Sequence, residues 1–373
     1  MACLFWLSAL FIIYTYAGYP FLIHWLATRK TLPPLQAPNE WPEVSILIPV
    51  HNEVKHLENK IATLRALDYP KDKLHITFIS DGSEDGTNER IAKEQDFQLI
   101  AYSPRQGKPT AINRGVEDAN IRPIIIFTDA RQNIAPNAIQ QLVMRLLQEN
   151  VGAVSGELVF GESQSHTGEN VGLYWRYEKM IRKAESLVHS VPGVTGALYA
   201  IRKEDVEPLY SDAILDDFEV PIHLLKKGKR ILLEETAYVY DHVQEDTEKE
   251  YLRKIRTLTG NFQSFENNLW LFSPAQNPIW WQFLSHKVFR LLVPIALFFC
   301  FMTSLLASGI FYKLALIAQL AFYSLAFGAS AIPELKNNKL ANFCEVFFKL
   351  NWACVIAFKK YMSDQVDVRW KKI

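Results

Sequence analysis

Asp216 and Asp217 stand side by side in this 373-residue chain, and only one of them is explained by ordinary helix chemistry. Phe218 to Lys227 has the makings of a helix, with Lys226 and Lys227 suited to its C-terminal dipole and Gly228 to its cap. An acidic N-cap accounts for one aspartate; the second is surplus. A lone Asp, with a pKa of about 3.9, is a weak base, but an adjacent carboxylate raises it and makes proton abstraction from a hydroxyl feasible. Four further polar residues recur at one kind of place: Glu53, Asp81, Lys108 and Asp129 each follow a strand-like stretch. Arg253 and Arg256, three apart on a helical segment, share a face and could meet either an anionic ligand or lipid headgroups.

The elements that must position these residues alternate strand and helix. Val44 to Val50 is a continuous β-branched run, as in a strand buried on both faces of a parallel sheet. Leu57, Ile61, Leu64 and Leu67 give the next segment a helical stripe, which Tyr69-Pro70 ends. Strands follow at 75–80, 98–102 and 123–128, with a helix from about Pro109. A βαβαβαβ order implies a parallel sheet with right-handed crossovers, and ligands of such sheets bind at the carboxyl ends of the strands. All four strand-end residues therefore face one crevice.

Charge is distributed unevenly. The chain has 40 basic and 40 acidic residues, yet none lies in 1–28 and only Lys313 lies in 291–333. Segments 1–23, 291–312 and 314–333 are long and apolar enough to span a bilayer. The predicted organisation is an anchor at 1–28, a soluble α/β domain at 31–280 and a membrane region at 287–373 with a basic tail. Arg29 and Lys30 follow the first run, so it reads as an uncleaved anchor rather than a signal peptide. With Lys287 and Arg290 they place the soluble domain on the cytoplasmic side of a bacterial inner or plasma membrane. In 342–358, Asn342, Glu345 and Lys349 share one face, and Phe343, Val346, Phe347 and Leu350 another. That pattern reads as an interfacial helix, with a further crossing as the alternative. Zero net charge argues against a nucleic-acid partner. Cys3, Cys300, Cys344 and Cys354 all sit in or beside apolar segments, which excludes a disulfide framework in the soluble domain.

The motifs resemble those of family 2 glycosyltransferases of the cellulose-synthase-like, GT-A branch. They run in order: Pro49-Val50-His51-Asn52-Glu53, Asp81-Gly82-Ser83-Glu84-Asp85-Gly86-Thr87, Gly107-Lys108 before Ala111-Ile112-Asn113, and Phe127-Thr128-Asp129-Ala130-Arg131. Then come Gly193-Val194-Thr195-Gly196-Ala197, Asp216-Asp217 and Arg253-x-x-Arg256. The resemblance implies an inverting transfer of sugar from a nucleotide diphosphate, usually UDP, by a GT-A domain with a mostly parallel Rossmann-like sheet. It implies Asp217 as base; Pro49, Glu53, Asp81, Lys108, Asp129, Arg131, Arg253 and Arg256 around the donor; and Gly193 and Gly196 in an acceptor or sugar loop. Asp81 and Glu53 would contact the nucleoside and the arginine pair the departing diphosphate. The acceptor would be a surface or exopolysaccharide glycan or a lipid-linked one, with other subunits of an export complex as partners.

Two positions depart from the family pattern. Arg253 and Thr257 replace the Gln and Trp of Q-x-x-R-W, which disfavours a processive, pore-threading synthase. Arg131 replaces the second acid of D-x-D, leaving Asp129, with His242 as helper, to hold Mg2+ or Mn2+, or else Arg131 to supply the positive charge itself. The rivals are a non-catalytic nucleotide-binding scaffold subunit, which needs no Asp217, and a nucleotidyltransferase, which needs a Gly-rich phosphate loop where His51-Asn52-Glu53 stands.

Overall fold

β1 (Val44–Val50) is buried along its whole length, as its apolar run demands, and the rest of the α/β domain is laid out from it. The computed structural model describes all residues except 119, 161–165, 242–246, 333, 336–337 and 364–373. α1 (Ala2–Ala27) precedes β1. After it come α2 (Val54–Arg65), β2 (Leu74–Asp81), α3 (Thr87–Ile91), β3 (Gln98–Tyr102), α4 (Lys108–Glu117), β4 (Ile124–Thr128) and β5 (Asn133–Ile134). The strand and helix alternation expected from the sequence is present through β4.

α5 (Ala138–Leu146), β6 (Val151–Phe160), α6 (His166–Val188), β7 (Leu198–Arg202), α7 (Asp216–Ile222), β8 (Arg230–Asp241) and α8 (Thr247–Asn267) complete the domain. The eight strands form one sheet in the order β3-β2-β1-β4-β7-β6-β8-β5. Its first four strands are parallel. The other half is mixed: β7 runs antiparallel to both β4 and β6, β8 is parallel to β6, and β5 is antiparallel to β8. Since β2 and β4 flank β1 on opposite sides, the strand order reverses there, and a crevice opens at the carboxyl ends of β1 and β4.

α2 buries Leu57, Ile61 and Leu64 against the sheet, and Lys60 lies buried beside them. The helix at Asp216 is shorter than its periodicity suggests. α7 stops at Ile222 and a 3-10 turn at His223–Leu225 follows. Pro221, within α7, has no N–H to give the Asp217 carbonyl one turn back. That carbonyl instead accepts the Val194 amide at 3.1 Å, which binds the glycine loop 193–196 to the aspartate pair.

Four helices are long and apolar enough to cross a membrane: α1, α9 (Trp280–Leu306), α10 (Ile310–Ala331) and α11 (Lys339–Met362). Phe5 meets Phe311 and Tyr312 at one end of this bundle. At the other end Tyr14 and Ser285 join by hydroxyls at 2.9 Å. Both α1 and α9 contain a π-helical turn at this junction, Tyr14–Gly18 and Leu284–Val288. In α11 the polar residues Asn342 and Glu345 are buried while Phe343, Trp352 and Phe358 are exposed. The helix ends against the α/β domain, where Phe358 packs on Phe262 and the Tyr361 hydroxyl bonds Glu266.

Candidate active site

The crevice is lined by Pro49 of β1, Thr128 and Asp129 at the end of β4, Lys108 at the start of α4, Gly196 and Asp216. Gly107 precedes Lys108 with φ +100°, a conformation glycine adopts freely, and thereby turns the lysine inward. The Lys108 ammonium lies 2.9 Å from Asp129 Oδ1 and 2.9 Å from Asp216 Oδ2, bridging the Asp129 turn and the aspartate pair. Burial would lower its pKa, but the two carboxylates hold it above the ordinary lysine value. Asp129 is likewise drawn up by burial yet kept below the usual carboxylate range by Lys108.

Asp217 is the contrasting group. Burial, and then the charge of Asp216, push its carboxyl up to about 6. Gly196 lies beside it: a Cβ there would stand 3.5 Å from Asp217 Oδ2, an ordinary contact. The result is a carboxylate with raised proton affinity beside the crevice, flanked by a partner held by a lysine. The pair thus divides into a carboxyl of raised pKa and a neighbouring charge that helps raise it.

The structure gives Asp81 a second task. It is fully buried, and its two oxygens accept the Gln106 and Gly107 amides at 2.6 and 2.7 Å. Both carboxylate oxygens are thus engaged by the 106–107 backbone. Most of the Asp81-to-Thr87 turn is structural: Ser83 accepts the Asn52 amide, Asp85 the Val54 amide, and Thr87 the Glu53 amide, lacing the β2 turn to the β1 turn. Glu53 sits at the start of α2, its carboxylate 3.8 Å from His56.

Arg131 does not face the crevice as a free phosphate ligand. It donates to Asp241 Oδ2 at 2.6 Å, and Gln132 bonds the same oxygen at 3.0 Å. Asp241 is a buried acid for which the sequence offered no signal, since it ends an alternating strand. Arg253 is half-exposed and near Glu250 at 3.7 Å, and its charge helps lower Asp129. Arg256 is partly buried one turn later on α8. His242, expected as a metal helper, lies outside the described residues. Among the described residues no three His, Cys, Asp or Glu side chains cluster as a metal site. Asp129 Oδ1 is taken by Lys108, but its side chain is partly open. One carboxylate suffices for a hard divalent ion that completes its shell with phosphate oxygens and water.

Comparison with known proteins shows what this arrangement is similar to. Residues 45–209 match the family model for glycosyl transferase family 2. Among curated proteins, the probable glycosyltransferase YdaM of Bacillus subtilis is 26% identical over 252 residues, covering 64% of this chain and 60% of the relative. A poly-β-1,6-N-acetyl-D-glucosamine synthase of Staphylococcus aureus is 25% identical over 228 residues, covering 59% and 55%. The chain thus spans less than two thirds of these relatives. Among solved structures, a Pyrobaculum calidifontis mannosyltransferase in complex with GDP-Man and Mn2+ superposes with a TM-score of 0.73 at 21% identity, covering 97% of this chain and all of that one. That likeness extends through the terminal helices as well as the sheet: the chain has the fold of the GT-A glycosyltransferases, and residues 45–209 carry the match to glycosyl transferase family 2.

Proposed function

We propose that this chain is a membrane-bound, inverting glycosyltransferase that moves a sugar from a nucleotide diphosphate donor, a UDP-sugar, to a hydroxyl of a lipid-linked or surface-glycan acceptor. The observation that carries it is Asp217, a carboxyl raised to about 6 beside a crevice that otherwise gathers a lysine and carboxylates. Asp81 and Glu53 would meet the nucleoside. Lys108, within reach of both halves of the crevice, would turn to the diphosphate, and Arg253 and Arg256 on α8 would join it as the charge on the leaving group grows. Asp217 would take the proton of the acceptor hydroxyl as its oxygen attacks the anomeric carbon, which accounts for inversion in a single displacement. A divalent ion held by Asp129 would neutralise negative charge on the diphosphate when bound.

The membrane side favours an acceptor tied to lipid. Lys287 pulls the Asp217 pKa down through its charge and belongs to the π-turn within α9. Arg182 donates to the Gly193 carbonyl of the loop over Asp217, at 3.4 Å. Arg29 and Lys30 directly follow α1, and Lys287 and Arg290 lie in the first half of α9, a flanking positive charge that supports a cytoplasmic catalytic domain. The Tyr361 and Phe358 contacts of α11 with α8 support a helix that returns to the catalytic side rather than emerging opposite it.

Purified full-length protein incubated with a panel of nucleotide sugars tests the reading. Release of free nucleotide from one donor, accelerated by a lipid-linked saccharide and lost in Asp217→Asn, is the expected result. Nucleotide binding with no turnover of any donor would favour a scaffold subunit instead.

A further inference from the structure

Lys60 is fully buried in the α/β domain, in the row of α2 that also holds Leu57, Ile61 and Leu64. Its ammonium donates to Thr128 Oγ1 at 2.9 Å and to the Gln132 carbonyl at 3.0 Å. Both acceptors are neutral. The residues they belong to bound the turn that carries Asp129 and Arg131. The Thr128 hydroxyl in turn donates to the Ala197 carbonyl at 2.8 Å, next to Gly196, which abuts Asp217. Gln132 continues outward to Asp241. One side chain under the crevice therefore connects α2, the end of β4, the glycine loop and the end of β8.

Such an arrangement is hard to justify by stability. Taking an ammonium out of water costs several kcal/mol, and neutral acceptors do not repay it as a carboxylate partner would. Burial pushes the Lys60 pKa down to about 7, with Asp129 opposing that fall. An unbranched apolar side chain of similar length would fill the same slot without desolvating a charge. What the apolar residue could not do is hold both ends of the Asp129 turn and keep positive potential beneath it.

We propose that Lys60 is a positioning residue for the donor: through Thr128 and Gln132 it presents the Asp129 turn to the diphosphate and fixes that turn relative to the loop beside Asp217. The proposal rests on the glycosyltransferase reading and names a residue that acts on the donor without touching it. A diphosphate arriving above the turn would add negative charge to that of Asp129, the carboxylate whose charge already acts on the buried ammonium without a hydrogen bond to it.

The test uses the full-length chain with UDP as the binding probe and the donor found active in the nucleotide-sugar panel. Lys60→Met should leave the melting temperature unchanged or raise it while weakening UDP binding about tenfold or more and raising the donor KM in parallel. Thr128→Val should move UDP affinity the same way, Thr128→Ser should restore it, and the double variant Lys60→Met/Thr128→Val should be no worse than the stronger single one. A Lys60→Met protein that melts earlier yet binds UDP as wild type does would reduce Lys60 to a structural residue and overturn the proposal. If Lys60→Met does not fold, equal UDP affinity in Thr128→Val and Thr128→Ser overturns it, and a loss confined to Thr128→Val supports it. Wild-type protein that turns over no donor would sink the glycosyltransferase reading instead, a different failure from an active wild type indifferent to these substitutions.

Discussion

The Asp81 carboxylate accepts the Gly107 amide at 2.7 Å, so the acid at the end of β2 also holds the loop that delivers Lys108. Asp81→Ala should therefore weaken UDP twice over, by removing a partner for the base and by releasing the loop. Loss of a charge-assisted hydrogen bond is worth roughly 1.5 to 3 kcal/mol, or about one to two decades in dissociation constant. Calorimetry with UDP alone measures it, and unchanged affinity would make Asp81 a loop anchor only.

Asp217→Asn should lower transfer by about 10² to 10⁴ while leaving UDP affinity near that of wild type. The same change removes a charge that burial disfavours, so the melting temperature at neutral pH should hold or rise. Near-normal transfer by the variant in a single-turnover assay would remove Asp217 from its role.

The pH profile follows from the same group. A base with a pKa of about 6 is active when deprotonated, so kcat/KM should rise through about pH 6 and be lost as the pH falls below it. The sign is opposite for stability. A carboxyl whose folded pKa exceeds its unfolded value of about 3.9 favours the protonated native state, and its contribution fades as the pH climbs from about 4 to 6. Asp216→Asn removes the second cause of the shift and should move the acidic limb of the rate profile downward; a limb that stays in place would assign it to another group.

Chelation should suppress transfer, with Mg2+ or Mn2+ restoring it, because Asp129 keeps an accessible carboxylate for an ion shared with the diphosphate. Arg131→Ala should act elsewhere. It strips the buried Asp241 of its guanidinium while Gln132 remains, and leaving a buried acid short of a charged hydrogen-bond partner costs about 1 to 3 kcal/mol. A lower melting temperature with metal dependence intact is the expected pattern. Full activity in excess chelator, together with a folded but inactive Arg131→Ala protein, would make the arginine the diphosphate's cation.

The parallel half of the sheet was legible because each of its strands is a short, mostly apolar run and helices or turn-forming residues separate one from the next. The mixed half was not, since β7 pairs with β4 and β6 across long stretches of chain, and no local period encodes antiparallel insertion. Asp216-Asp217 stood out as a surplus acid, and the structure distinguishes the two by what each touches. Lys60 was invisible: beside Leu57, Ile61 and Leu64 a lysine reads as the solvated edge of an amphipathic helix, and only the fold reveals polar acceptors beneath it. Arg131 and Asp241 lie 110 residues apart, so their pairing could not be seen in either motif alone.

The two π-turns that face one another at the bundle's inner end make α1 part of the enzyme's foundation rather than a tether. Tyr14 takes the Trp281 indole N–H at 2.9 Å, and Tyr19 donates to Glu185, which also meets His286 at 2.8 Å. Ile23 and Ala27 cover Ile181 and Ala184 on α6. A trimmed version begun after residue 28, the ordinary route to a soluble catalytic domain, would bare that apolar seam and strip a buried glutamate of its phenol. Handling this enzyme in solution therefore calls for detergent or nanodiscs around the intact chain, and an insertion in either π-turn would have to be matched in the other to keep the seam in step.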